Sequence, residues 1–278
     1  MKNLTVIGAT GKLAVPTIKR LVENGVAVKA VVRDIESAQE KLPEQVEIVQ
    51  GDLEDVNSLR TALDGTEYLY LNLSAPNPYA DFIPEVQGIE NILEAAREQL
   101  KQIIQISGLG ALHPEYHPTG KKIIDNELRS KGHEIIRNYG IPHTVFHCTW
   151  FINALPWFVQ EENLFVFGEY KTPMYWTNTT DLADYVTASI ANEDAFNKDF
   201  ALQGEEAMSY PDAAQAFVDI KQLPLNVINA PVPENDLGHF GDMLRYFEEF
   251  EEQFSAKDTF TVLGKPKLSV KDAITEIL

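Results

Sequence analysis

Short apolar segments alternate with longer amphipathic segments through the first 150 residues of the chain. The apolar segments predict strands buried on both faces, at Leu4–Ile7, Val26–Val32, Val46–Gln50, Tyr68–Leu73, Ile103–Ile106 and His143–His147. The amphipathic segments repeat apolar residues at helical spacing and predict helices at Val15–Val22, Ile35–Leu42, Val56–Leu63, Pro84–Leu100 and Lys121–Tyr139. This alternation predicts an α/β fold: a doubly wound parallel sheet of the Rossmann type, with ligands at the carboxyl ends of its strands.

Residues 151–278 follow a less regular pattern. It predicts a strand at Leu164–Phe167, helices at Asp181–Ala191, Tyr210–Lys221 and Asn235–Phe254, and a short last helix from Ser269. We expect a smaller α/β substrate lobe that is interleaved with the domain formed by residues 1–150 and packs over the carboxyl edge of its sheet. The loop Leu112–Gly120, rich in histidine and proline, has the composition of a lid beside a cofactor.

A glycine turn joins the first predicted strand to the first predicted helix. Its sequence is Gly8-Ala9-Thr10-Gly11-Lys12-Leu13-Ala14, with the spacing Gly-x-x-Gly-x-x-Ala. Glycine lets the backbone turn sharply and approach a pyrophosphate, whose charge meets the free N–H groups at the start of the helix. A small residue, Ala14, occupies the third position, where helix and strand pack closely. A strand, a glycine turn and a helix in this order predict a dinucleotide site.

The residue that ends the second predicted strand faces the adenine ribose in such a fold. Arg33 stands there and favours NADP(H) over NAD(H), because a guanidinium pairs bidentately with a 2′-phosphate; Lys12 adds charge nearby. The alternative for Arg33 is a solvated surface side chain. Asp34 either caps the next helix or turns toward the ribose and weakens this preference. Asp52 either accepts from the adenine amino group or forms a turn.

Charge and cysteine content narrow the class of protein. The chain has 23 Lys and Arg against 42 Asp and Glu, a net charge of −19, which disfavours binding to nucleic acid or an anionic membrane. Cys148 is the single cysteine, so no intrachain disulfide forms and a reducing compartment is expected. The first predicted strand leaves no room for a signal peptide, and no apolar run has the length of a membrane span. We expect a cytoplasmic protein.

The usual catalytic patterns are absent from the sequence. Short-chain dehydrogenases use a tyrosine with a lysine four residues later, but none of the ten tyrosines has one; Tyr116 is followed by Gly120 at that position. Ser107 follows a predicted strand where these enzymes keep a serine, although Ser-Gly is also a common turn. His113 and His117 are each followed by proline, which argues against a helical metal pair, and we predict no metal site.

Several segments together resemble the atypical short-chain dehydrogenases called NmrA-like. They are Gly8–Gly11, Val32–Asp34, Gly51–Leu53, Ile106–Gly108, Gly140–Val145, Trp150–Phe151 and Thr180–Ala183. The family includes NADPH-dependent quinone reductases, triphenylmethane reductases, isoflavone-type reductases and catalytically silent NADP(H) sensors that regulate transcription.

The resemblance implies three groups of cofactor-binding residues. These are Gly8, Thr10, Gly11, Lys12, Leu13 and Arg33 at the phosphates, Asp52 and Leu53 at the adenine, and Leu73, Ser74 and Ser107 on the nicotinamide side.

Reductases of this family also keep a lysine or histidine on the helix before Gly140-Ile141-Pro142. Counting back from Gly140 without gaps places Arg129 at this position. Lys131 lies two residues further along the chain and therefore on another face of the helix. Composition favours Lys131 slightly, since Lys131-Gly132 followed by Glu134 resembles the family motif. The candidate catalytic residues are thus Lys131, Arg129 and Ser107.

Two functions from different classes fit these observations. The first is a NADPH-dependent reductase that passes hydride to a planar, electron-poor acceptor such as a quinone, a reaction that makes small demands on acid–base residues. Trp150, Phe151 and Trp157 would supply aromatic walls for the acceptor, or else belong to the core. The second is an NADP(H) sensor that docks a regulatory protein partner, which the missing acid–base residues favour. The sequence indicates no oligomeric state.

Overall fold

The computed structural model describes residues 2–170, 172–233 and 237–277. The strands in these ranges are β1 (Asn3–Ile7), β2 (Ala27–Val32), β3 (Glu47–Gln50), β4 (Tyr68–Leu71), β5 (Gln102–Gly108), β6 (His143–Cys148), β7 (Val159–Gln160), β8 (Asn163–Phe167), β9 (Lys198–Leu202) and β10 (Asn226–Ala230). The α-helices are α1 (Ala14–Glu23), α2 (Ile35–Gln39), α3 (Val56–Ala62), α4 (Ile89–Ala96), α5 (Leu109–Leu112), α6 (Ile124–Asn138), α7 (Thr179–Ser189), α8 (Tyr210–Lys221), α9 (Gly238–Glu249), α10 (Lys257–Leu263) and α11 (Val270–Glu276).

Seven strands form the main sheet in the order β3-β2-β1-β4-β5-β6-β9, and every neighbouring pair is parallel. The strand order reverses between β1 and β4, which opens a crevice at their carboxyl ends. A second, smaller sheet has the order β10-β8-β7, with one parallel and one antiparallel pair. The predicted fold class, a doubly wound parallel sheet with a smaller α/β lobe, is confirmed.

Apolar layers cover both faces of the main sheet. On one face, Leu4 and Val6 of β1 pack with Ile18 of α1 and Val186 of α7. On the other face, Ile7 joins the cluster formed with α3 and α4. Both faces of β1 are therefore buried, as expected for a central parallel strand, and the glycine turn that follows it rests on a fixed base.

The lobe predicted for residues 151–278 contributes to the main sheet. Strand β9, which sequence reasoning missed, pairs with β6, and α7 packs against α1. The missed strand is short and begins with the polar residues Lys198 and Asp199, so its apolar run is only three residues long. Residues 179–202 thus return to the large domain, while β7, β8 and β10 form the separate small sheet.

Two predicted helices differ from the structure in more than small changes of their bounds. The segment Pro84–Leu100 begins as a π-helical turn, Pro84–Gly88, and continues as α4. The prediction Asn235–Phe254 starts outside the described residues, and α9 ends at Glu249 because the chain becomes extended at Phe250, whose side chain is buried. Throughout the described ranges, no helix has both the length and the apolar character required to cross a bilayer.

Candidate cofactor and acceptor site

The turn after β1 has a geometry that requires glycine. Gly8 has φ +82°, and a Cβ built there would overlap the carbonyl oxygen of Asn72, the residue that follows β4. The N–H of Gly11 donates to the carbonyl of Gly8 at 3.2 Å and closes the turn. The backbone after β1 therefore lies directly against the backbone after β4, at the crevice where strand order reverses.

Helix α1 begins without a side-chain cap. Leu13 stands at its N-cap position, no side chain accepts from its first N–H groups, and its first turn contains no acidic residue. Among its first residues, the N–H of Val15 donates to the carbonyl of Gly11 at 3.0 Å and Pro16 has no N–H. The N–H of Ala14, which has no partner within the described residues, and the positive end of the helix dipole are left for an anion. Lys12 adds a cation, exposed and 4.9 Å from the centre of the Trp157 ring. The residues present therefore fit a pyrophosphate.

Arg33 and Asp34 follow β2 with separate roles. The Asp34 carboxylate accepts from the N–H of Ser37 at 3.1 Å and caps α2. Of the two alternatives for Asp34, the structure shows the cap. The Arg33 side chain is exposed and forms no hydrogen bond or ion pair within the described residues. A free guanidinium thus stands at the end of β2, where a 2′-phosphate would lie.

Asp52 and Leu53 follow β3 and form a tight turn. Asp52 Oδ1 accepts from the N–H of Glu54 at 3.0 Å, which is the turn-forming alternative for this side chain. Leu53 is half-buried and packs against Gly88, where an added Cβ would lie 3.3 Å from it. An adenine role for both residues stays a prediction.

A cleft of about 520 Å³ extends from the glycine turn across the ends of β4, β5 and β6 to the second lobe. Of the predicted site residues, the structure brings seven to its walls: Gly11, Lys12, Leu13, Leu73, Ser74, Ser107 and Arg129. Ser107 is buried, and its Oγ has no hydrogen-bond partner within the described residues. A buried unpaired hydroxyl beside an open cleft is a group that a bound ligand would satisfy.

Arg129, and not Lys131, lies at the cleft. Arg129 is half-buried, lines the cleft, and has no carboxylate within 4.0 Å in the described part of the chain; Lys131 is exposed and lies outside the cleft walls. The structure therefore places Arg129, and not the preferred candidate Lys131, at the cleft; a catalytic role for either residue stays a prediction. The physical reason is the rotation of α6, which is fixed where Gly132 packs against the backbone of Glu85. Residues two apart then point to nearly opposite sides of the helix.

Aromatic side chains form the far wall of the cleft. Trp150, Phe151 and Trp157 line it as predicted. Helix α9 adds a group that sequence reasoning missed: His239, Phe240, Met243 and Phe247. Their three- and four-residue spacing is the signal that identifies this face, but the acidic character of the helix obscured it.

Cys148 also lines the cleft, where it is 6% exposed. Burial raises the pKa of its thiol, so the side chain behaves as a small apolar group.

The loop Leu112–Gly120 does not serve as the predicted lid. Its histidine and tyrosine rings pack on the C-terminal part of the chain: His117 stacks on Tyr246 at 4.8 Å between ring centres, and Tyr116 contacts Phe250 at 5.7 Å. None of its residues is among those that line the cleft. The rings of Tyr116 and His117 pack against Phe250 and Tyr246, so packing alone explains why this loop is rich in ring side chains.

One group of potential metal ligands occurs in the described residues: His133, His147 and Asp199, with ligand atoms within 4.8 Å of one another. Arg137 donates to both Asp199 oxygens at 2.9 and 2.7 Å, and His147 Nε2 lies 2.9 Å from Oδ1. Burial alone would raise the pKa of Asp199, but the bond to His147 and the charge of Arg137 lower it to about 2. A guanidinium this close opposes a second cation, so we assign no metal here.

Comparison with known proteins places these features in a family. Residues 8–193 match the model of a family described as NAD(P)H-binding. The chain belongs to this family. Its members include the atypical short-chain dehydrogenases that the sequence motifs resembled, so that prediction is confirmed.

Curated relatives and a solved structure agree with this assignment. Anthocyanidin reductase of Arabidopsis thaliana is 32% identical over 141 residues, which are 45% of this chain and 41% of that protein. NAD(P)H azoreductase of Xenophilus azovorans is 22% identical over 99% of this chain and 85% of its own length. The fold matches that of the NADPH-dependent quinone oxidoreductase QOR2 of Escherichia coli in complex with NADPH, with a TM-score of 0.74 and 19% identity over 98% of each chain.

Proposed function

We propose that this protein is a NADPH-dependent reductase that passes hydride to a planar, electron-poor acceptor such as a quinone. The observation that carries the proposal is the single cleft described above. It connects an uncapped helix start and Lys12 with a wall of aromatic rings, and Ser107 and Arg129 lie between them. Cofactor and acceptor would therefore meet at the ends of β5 and β6.

The cofactor half of the cleft supports NADPH. The turn at Gly8 and Gly11 and the start of α1 would hold the pyrophosphate, and Arg33 would pair with the 2′-phosphate. The reduced nicotinamide, when bound, supplies the hydride. Leu73 and Ser107 would border its ring, since both line the cleft at the ends of neighbouring strands.

The acceptor half supports a flat aromatic substrate. Trp150 and Phe247 pack edge to face with ring centres 5.2 Å apart and form one corner of the wall. Such rings exclude water and stack on a planar acceptor. Arg129 would polarise an acceptor oxygen or hold the ribose hydroxyls, but a guanidinium keeps its protons and is therefore a poor proton donor.

A second function, the NADP(H) sensor that docks a protein partner, is favoured by one specific observation. No tyrosine of the chain has a lysine at the fourth following position, so the usual acid–base pair of short-chain dehydrogenases is missing. A sensor needs the cofactor half of the cleft only.

The two functions are separated by binding and turnover measured on the same preparation. Fluorescence titration gives the affinities for NADPH and NADH, and the nicotinamide absorbance follows NADPH oxidation with a panel of small quinones, azo compounds and cationic dyes. The reductase proposal expects tighter binding of NADPH and turnover of at least one acceptor class. Tight binding with no oxidation across the panel contradicts it and supports the sensor.

A further inference from the structure

Two carboxyl groups near the cleft each have one buried oxygen without a hydrogen-bond partner in the described residues. Asp125, in the first turn of α6, lines the cleft, and its Oδ2 is buried. Glu85, in the turn Pro84–Gly88, is 3% exposed; its Oε1 accepts from the N–H of Ala75 at 3.0 Å. Within the described residues, neither Asp125 Oδ2 nor Glu85 Oε2 has a hydrogen-bond partner.

Close packing of two elements places α6 beside the turn that carries Glu85. A Cβ on Gly132 would overlap the carbonyl oxygen of Glu85, so α6 lies directly against the turn that carries Glu85. Arg129, one helical turn after Asp125, acts electrostatically on Glu85, as does Asp125 itself. Asp125 and Arg129 line the cleft, and Glu85 lies beside the helix that carries them; these three residues are called the corner below.

The charges in this corner balance only if a proton remains. Both carboxyl groups ionised beside Arg129 would leave one uncompensated negative charge at a largely buried position, which is costly. Burial is the main cause that raises the pKa of Glu85, and the Asp125 carboxyl adds to it. The backbone N–H groups of Glu85 and Ala75, together with Arg129, act in the opposite direction without cancelling the effect. Glu85 thus retains a proton at a pH where an exposed carboxyl has lost it.

We propose that Asp125 donates the proton that completes reduction of the acceptor, and that Glu85 shares and replenishes this proton. This inference rests on the proposed reductase function. In the step, a quinone gains a hydride, with its two electrons, from the reduced nicotinamide, and one quinone oxygen takes a proton from the Asp125 carboxyl. The Asp125 O–H bond breaks as the new O–H bond forms, the quinone becomes a hydroquinone, and the nicotinamide is oxidised. The corner is reprotonated from Glu85 and then from solvent.

With this assignment, Asp125 is the proton donor of a chain that has no tyrosine followed by lysine four residues later. Asp125 and Arg129 are four residues apart on one face of α6, and both line the cleft. An acid and a cation at this spacing perform the two tasks that tyrosine and lysine perform in other short-chain dehydrogenases. Because Asp125 is not a tyrosine, a pattern search cannot find it.

The test compares acceptors that differ in their need for a proton. A neutral quinone requires hydride and a proton, whereas a cationic triarylmethane dye requires hydride only. In Asp125→Asn the ratio of quinone to dye kcat should fall about 100-fold, the usual contribution of a general acid. The control, Glu127→Gln, removes an exposed carboxyl from the same helix and should keep the wild-type ratio. Glu85→Gln should move the pH profile of quinone reduction and leave that of dye reduction in place.

A second measurement does not depend on turnover. The infrared spectrum of the cofactor-free protein at neutral pH should contain the carbonyl stretches of protonated carboxyls, with one component that is lost in Glu85→Gln and kept in Glu127→Gln and in Glu252→Gln. An unchanged quinone-to-dye ratio in Asp125→Asn, an equal loss with both acceptors, or an unchanged carboxyl band in Glu85→Gln would overturn the inference and leave the reductase function intact. If the wild-type protein is inactive with the quinone and with the dye, the inference about Asp125 and the proposed reductase function are both overturned.

Discussion

Glu252 is a buried carboxyl that makes the stability of this protein depend on pH. It follows α9, is 8% exposed, and accepts from Thr149 Oγ1 at 2.5 Å, Gln203 Nε2 at 2.7 Å and the N–H of Tyr175 at 3.3 Å. Burial raises its pKa to about 7, although these three bonds act in the opposite direction. Since Thr149 lines the cleft, this carboxyl ties the segment after α9 to the acceptor site.

The size of the effect of Glu252 on the unfolding free energy follows from the difference between its pKa in the folded and in the unfolded chain. The ordinary value is 4.5, and the gap up to about 7 in the folded chain corresponds to about 3 kcal/mol of unfolding free energy. Below pH 4.5 both states hold the proton. Between 4.5 and about 7 the folded state holds a proton that the unfolded state has released, so stability falls as pH rises through this window and levels off above it.

Urea unfolding of wild type, Glu252→Gln and Glu251→Gln from pH 4.5 to 8 tests this prediction. The unfolding free energy of wild type should fall relative to Glu252→Gln by up to about 3 kcal/mol across the window, because glutamine carries no titratable proton. Glu251 is exposed, so its variant should follow wild type and controls for the loss of a nearby charge. If the unfolding free energies of wild type and Glu252→Gln change with pH in parallel, the reasoning is refuted.

Three further predictions concern the cleft. Arg33→Glu should shift the ratio of NADPH to NADH affinity at least about tenfold toward NADH, since charge-assisted bonds to phosphate are lost; equal ratios in titrations of both proteins contradict the 2′-phosphate assignment. Gly11→Val should abolish NADPH binding, because the added side chain fills the pyrophosphate position. The circular dichroism should stay unchanged, because a Cβ at residue 11 meets the protein only at 3.3 Å from the carbonyl oxygen of Gly8. Normal NADPH binding by this variant would show that the phosphates lie elsewhere. Arg129→Ala should reduce quinone turnover while Lys131→Ala behaves as wild type, and if neither variant changes affinity or turnover the sensor is the better account.

Sequence reasoning predicted the cofactor half of this molecule because its signals are local. The strand before Gly8, the turn itself and the helix after it lie within one continuous segment, and backbone sterics dictate the turn. The placement of Arg33 follows from the end of one strand. Local patterns of this kind need no knowledge of how distant segments pack.

The acceptor half depends on packing between distant segments, which no local pattern contains. Whether Arg129 or Lys131 reaches the cleft depends on the contact between Gly132 and the backbone of Glu85, a residue more than 40 positions earlier. The position of Glu85 beside α6 arises from the same contact. The position of β9 at the sheet edge likewise depends on its pairing with β6 across some 50 residues.

Single-turnover mixing of the NADPH-loaded protein with a small quinone tests the central claim most directly. The account predicts that the nicotinamide absorbance decays in one phase and that the decay slows when the transferred hydrogen at C4 is replaced by deuterium. Wild type should show this reaction, and Gly11→Val should not, because it fails to hold the cofactor. Cofactor that stays bound and reduced after mixing, whichever acceptor is added, would contradict the claim.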